Sequence, residues 1–127
     1  MRRLLLAMGA VLLVACATPR NGLSTAADTC FRGLPRAEAM IGHKGRLVGV
    51  RRVEKAQLVR RVPQADRLEP GTFCVIGFRA DYQPGDVAHA DPAGPGDYAV
   101  VVLDARGSQV LAAFVLKDLP LRFHHRT

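Results

Sequence analysis

Hydrophobic positions along the chain fall into short patches separated by polar, Gly- and Pro-rich spacers. Residues 4–14 (LLLAMGAVLLV) form an unbroken apolar run behind Met1-Arg2-Arg3, and small Ala15 closes it. Eleven residues are too few to cross a bilayer core, which needs about 20. A basic start, a short apolar run and a small residue at the cut predict a cleaved secretory signal over residues 1–15. Residues 34–42 (LPRAEAMIG) predict a helix: Pro35 suits the first turn, Ala37, Glu38, Ala39 and Met40 are good formers, and Gly42 ends it. So short a helix must lean on a core, through Leu34, Met40 and Ile41. Residues 46–53 (RLVGVRRV) predict a strand. Residues 57–62 (QLVRRV) fit a strand or a helical turn, and periodicity does not separate the two.

Beyond Pro63 and the turn Glu69-Pro70-Gly71, residues 72–78 (TFCVIGF) read as a strand apolar on both faces. Residues 98–103 (YAVVVL) and 110–116 (VLAAFVL) read as a hairpin across Asp104-Ala105-Arg106-Gly107-Ser108. Leu119-Pro120-Leu121 interrupts the pattern, and residues 122–127 are expected as a short edge strand or a frayed tail. One helix ahead of four to six mostly antiparallel strands predicts a small α+β domain. There is no solenoid repeat, no coiled-coil heptad and no second membrane-length apolar run. The expected layout is a signal at 1–15, a polar tether at 16–29 and a single domain over 30–127.

The cysteines are Cys16, Cys30 and Cys74. Leu13-Val14-Ala15-Cys16 resembles the lipobox of bacterial lipoproteins. That resemblance implies cleavage before Cys16, diacylglycerol on its sulfur and attachment to a membrane. Two chains suffice for stable anchoring. Ala17 stands where an Asp would retain an enterobacterial member at the inner membrane, so the periplasmic face of the outer membrane is the expected address. Cys30 and Cys74 then remain as a pair in an exported chain, which predicts a disulfide. A free thiol at Cys74 would need exposure and a base; Phe73-Cys74-Val75-Ile76 predicts burial instead.

Formal charge is +7, and +5 once Arg2 and Arg3 leave with the signal. A basic balance invites a nucleic-acid reading. Export sets it aside, leaving phospholipid headgroups, lipopolysaccharide or an acidic envelope protein as partners. The charge is segregated: residues 32–67 hold ten Lys or Arg against three acids, whereas residues 81–104 hold five Asp and no Lys or Arg. Two doublets, Arg51-Arg52 and Arg60-Arg61, are the candidate docking residues. Were residues 50–53 and 59–62 hairpin partners, Arg51 would face Arg61 and Arg52 would face Arg60. Like charges directly opposite destabilise a sheet, so either the pairing differs or an anion sits there. A solvated basic face is the plainer alternative.

Residues 81–97 (DYQPGDVAHADPAGPGD) predict a long surface loop. Asp86, Asp91, Asp97 and His89 lack the ligand number and spacing of a Ca²⁺ or transition-metal site, and no cofactor is expected. No nucleophile elbow, zinc-protease helix motif, phosphate cradle or Cys-x-x-Cys occurs. Ser108 lacks a neighbouring base, His43 follows a helix end, and His124-His125 sits in the tail. The expectation is a non-catalytic, lipid-anchored envelope module that binds or supports another component. An alternative comes from a second likeness. Met40-Ile41-Gly42, then 67–71 (RLEPG), Asp81-Tyr82, Val102-Leu103-Asp104, Gly107 and Val110 are similar in order to small elastase-inhibitor-like peptidase inhibitors. That similarity implies a periplasmic inhibitor inserting a rigid exposed loop into a protease cleft. Cys30 and Cys74 do not sit where that family places its cysteine, and 87–97 stands as an insertion.

Overall fold

In the computed structural model, which describes residues 29–123, a helical turn leads into α1 (Leu34–Met40), β1 (Arg46–Glu54) and α2 (Lys55–Arg61). A 3₁₀ turn (Pro63–Arg67) then precedes β2 (Thr72–Tyr82), β3 (Gly96–Asp104) and β4 (Val110–Leu116). The strands form one sheet in the order β1-β2-β3-β4, every neighbouring pair antiparallel. The fold is α+β, with four strands and one helix more than the sequence pattern suggested.

The continuous apolar runs of β2 and β3 are explained by cover on both faces of the sheet. On one face Ala37 and Ile41 of the α1 region and Val87 pack over Cys74, Ile76 and Val101. On the other, Leu58, Val62, Ala65, Leu121 and Phe123 pack over Val53, Val75 and Phe114. Two thin cores thus share one central sheet. Cys30, in the turn before α1, is bonded to Cys74 of β2 with a Cα–Cα separation of 5.3 Å, as the pairing argument expected.

The ambiguous stretch around residues 57–62 is helical. Glu54 takes the N-cap of α2: its carboxylate accepts from the Gln57 backbone N–H, and the Gln57 side chain accepts from the Glu54 N–H at 3.3 Å. This reciprocal arrangement satisfies donors that a helix start leaves orphaned. Leu58 and Val62, four apart, then bury on one side. The two arginine doublets are therefore not hairpin partners. β1 pairs with β2 instead, placing Arg51 opposite Val75 and Arg52 opposite Cys74.

The connection expected at 81–97 shortens to residues 83–95, because β2 runs on to Tyr82 and β3 begins at Gly96. It is tied down rather than free. Ala88 N donates to Met40 O at 2.8 Å, Asp91 N to Ala113 O at 3.0 Å, and Val115 N to Pro92 O at 2.8 Å. The last two bonds occupy the outer side of β4. Lys44 Nζ bridges to Asp86 at 2.7 Å and donates to Asp81 O at 2.7 Å, holding the near end of the connection to the start of β1.

Residues 124–127 of the expected edge strand or frayed tail lie outside the described residues, and residues 117–123 do not extend the sheet. They fold back across the α2 side, and Phe123 lies against Gly49 of β1 and Gly77 of β2. A Cβ at Gly49 would stand 2.6 Å from Phe123 Cβ, so only glycine admits this crossing. Among the described residues no helix is long and apolar enough to cross a membrane.

Candidate functional site: an arginine cleft

Strand alternation sends Arg51 and Arg52 to opposite faces of the sheet. Val50, and with it Arg52, belongs to the α1 side; Gly49, Arg51 and Val53 belong to the α2 side. On that side α2 and the returning segment 117–123 stand apart by a cleft of about 570 Å³. Arg51, Gln57, Arg60, Arg61, Pro120, Leu121 and Arg122 line it. Three of the four arginines named from sequence are thereby brought together, and Arg52 is not among them. Arg122 is the member that sequence reading missed. Its signal was present in Pro120-Leu121-Arg122-Phe123, where apolar residues flank a cation at alternate positions, but it required knowing that the tail folds back.

Three of the lining side chains are braced. Arg51 Nη1 donates to Arg122 O at 3.0 Å, and Arg60 Nε donates to Ala56 O at 3.4 Å. Gln57 Oε1 is held by the Glu54 N–H, which leaves the amide NH₂ as a free donor. None of the lining residues is acidic. Nearby Glu54 is committed to the α2 cap, and the two ion pairs among the described residues, Lys44–Asp86 and Arg67–Asp91, lie elsewhere. Asp118 shares an adjoining hollow with Arg61 but forms no ion pair with it. Four arginines line the cleft, Arg122 meeting Arg51 through its backbone carbonyl, and no ion pair among the described residues neutralises them.

Other sequence candidates have structural work. The Ser108 hydroxyl donates to Asp104 Oδ2 at 2.8 Å and its N–H to Oδ1 at 2.8 Å, closing the β3–β4 turn. Burial opposes ionisation of Asp104, and the bonds from Ser108, Gln109 and Arg106 outweigh it, so the carboxyl stays below its ordinary range. Asp86 is likewise held low, first by the Lys44 hydrogen bond and then by the Gln83 N–H. Tyr82 donates from its hydroxyl to Lys44 O at 2.6 Å; burial, with the Asp86 charge second, pushes its phenol up to about 12. His43 closes α1 with its backbone N–H, which donates to Glu38 O at 2.9 Å. Among the described residues no group of three or more His, Cys, Asp or Glu is placed to hold a metal ion. Of the segments shared with the inhibitor likeness, Asp81-Tyr82 ends β2, Val102-Leu103-Asp104 ends β3, and 67–71 makes the turn into β2. Cys16, His124 and His125 lie outside the described residues.

What the architecture defines is a disulfide-closed α+β domain with a basic cleft on one face. Comparison with protein-family models, with characterised proteins and with solved structures gives no match.

Proposed function

We propose that the chain is an exported lipoprotein, anchored through Cys16, whose stapled body is a non-catalytic module that docks onto anionic headgroups at the bilayer surface. The observation that carries the reading is the cleft of Arg51, Arg60, Arg61 and Arg122, in which no lining residue is acidic. Four cations kept together without carboxylates repel one another unless an outside anion neutralises them. The anchor supplies proximity. A tether over residues 16–29 holds the body within roughly 45 Å of the lipid, since an extended chain spans at most about 3.3 Å per residue. A weak electrostatic contact is strengthened by that confinement, as one tethered site raises the effective concentration at the next.

Two measurements test it. Mass spectrometry of protein from its native membranes should find a mature chain beginning at Cys16 with acyl mass; an unmodified Met1 terminus overturns the anchoring. The mature chain carrying Cys16→Ser should sediment with phosphatidylglycerol vesicles and not with phosphatidylcholine ones. Retention should drop several-fold between about 50 and about 300 mM salt, because the Debye length shortens from roughly 14 to 6 Å. R51A/R60A/R61A should abolish it. Salt-insensitive binding, or none, would retire the docking role.

A further inference from the structure

We infer that the arginine cleft is a site for a multiply charged phosphate group, a phosphomonoester or pyrophosphate, rather than a diffuse basic surface. The inference rests on the docking reading and specifies its ligand. Three features separate this cleft from a solvated face. First, its lining comes from three separate elements: Arg51 from β1, Arg60 and Arg61 from α2, and Arg122, whose carbonyl holds Arg51, from the returning segment. Such convergence encloses a ligand, whereas a solvated helix face presents its charges along one element.

Second, part of the donor set is held before any ligand arrives. Arg51 and Arg60 each spend one N–H on a backbone carbonyl, Arg122 O and Ala56 O, leaving the other donors of each planar fork unspent. Gln57 is fixed through its oxygen and offers two amide donors. Part of the ordering cost is therefore already met in the free protein, which favours a compact ligand over a loosely held ion cloud. Third, charge and stereochemistry select among anions. A lone carboxylate would neutralise one of the lining arginines, and a phosphodiester likewise carries a single charge, so several diester headgroups of a vesicle must gather to match one phosphomonoester. A phosphomonoester or pyrophosphate carries two to four charges on oxygens disposed tetrahedrally, which several guanidinium forks can grip from different sides. Pro120 and Leu121 supply an apolar wall beside the charged floor, suited to a group joined to a less polar body.

The test uses the full-length chain in a neutral detergent, titrated calorimetrically with inorganic pyrophosphate and with citrate as a carboxylate control of similar charge. Pyrophosphate should bind at least about tenfold more tightly than citrate, because only tetrahedral oxygens meet forks arriving from both β1 and α2. R60A/R61A, both exposed on α2 and remote from the core, should weaken pyrophosphate at least about tenfold with an unchanged melting temperature. R60K/R61K should restore the charge but not the affinity, since lysine cannot make the paired contacts. R52A, on the opposite face, should bind as the unaltered chain does. Mixed micelles carrying phosphatidic acid identify the source: competition with pyrophosphate assigns the phosphate to a lipid headgroup, and its absence assigns it to a soluble phosphate. Either outcome supports the site. Equal affinity for citrate and pyrophosphate, or full affinity in R60A/R61A, overturns it. Should vesicle docking remain salt-sensitive while pyrophosphate gains no preference, the phosphate assignment alone is lost; loss of both retires the cleft altogether.

Discussion

Removing the Cys30–Cys74 bridge should cost this domain a large share of its stability. The bridge links residues 44 apart, joining the turn before α1 to the central strand β2. In the chain-entropy description a closed loop of that length restricts the unfolded ensemble by about 4 kcal/mol at 25 °C. Domains of this size are held by only about 5–15 kcal/mol in total, so the bridge decides between a robust fold and a marginal one. Both cysteines are fully buried, and two alanines in their place also leave a small void, which adds to the loss. For roughly 100 residues a change of 1 kcal/mol moves the melting temperature by about 4–8 °C, so C30A/C74A should melt roughly 15–30 °C below the oxidised protein. Circular dichroism melts with and without dithiothreitol, beside the double variant, measure it. A fall of less than about 5 °C would refute the reasoning, because the two thin cores would then be self-sufficient without the crosslink.

Tyr82 carries a pH dependence. Its phenol ionises near 12 in the fold against an ordinary 10.0, so its contribution is complete below pH 10 and fades as pH climbs from 10 towards 12. Denaturant titrations across that window should show the loss in the unaltered protein and not in Tyr82→Phe, which is itself weakened by about 1 kcal/mol through loss of the bond to Lys44 O. Gly45→Ala should lose about 2 kcal/mol in urea unfolding: φ is +99°, and the added methyl would stand 2.5 Å from the Tyr82 hydroxyl and 2.6 Å from Arg79 O. Gly49→Ala should cost about 1–3 kcal/mol by driving Phe123 off the sheet, and should weaken cleft binding because Leu121 and Arg122 move with it. Phe123→Ala, which removes the packing without a clash, should cost about 3 kcal/mol in the same measurement.

The central strands were legible because their sequence needs no context. Residues 73–78 and 99–103 are apolar at consecutive positions, and only a sheet covered on both faces accommodates that pattern. The hairpin at Gly107 and the short α1 followed from turn and cap chemistry in the same local way. The stretch at 57–62 was not decided by periodicity, but Glu54 and Gln57, three apart ahead of an apolar residue, were a readable helix start. The returning tail was hidden for a different reason. Pro120-Leu121-Arg122-Phe123 makes sense only beside Gly49 and Gly77, more than forty residues away in sequence. Glycines within two strand patterns were the local trace of that approach. Since Arg122 belongs to the same tail, the fourth wall of the cleft was illegible for the same cause. The arginine doublets were legible as candidates, but the parting of Arg52 from Arg51 was not, since adjacent residues on a strand face opposite sides and the faces were unknown.

The two margins of the sheet have opposite treatments, with a consequence for association. Along β4, Asp91 and Pro92 already occupy hydrogen-bonding positions, so another strand finds no template there. Among the described residues β1 has one neighbour and no such backbone bonds on its other side, but the strand bears Arg46, Arg51 and Arg52. Two copies meeting β1 to β1 would bring like charges into register, a recognised protection against open-ended stacking. Copies crowded together can therefore lie side by side without zipping into fibrils. An acidic extended segment would escape that repulsion.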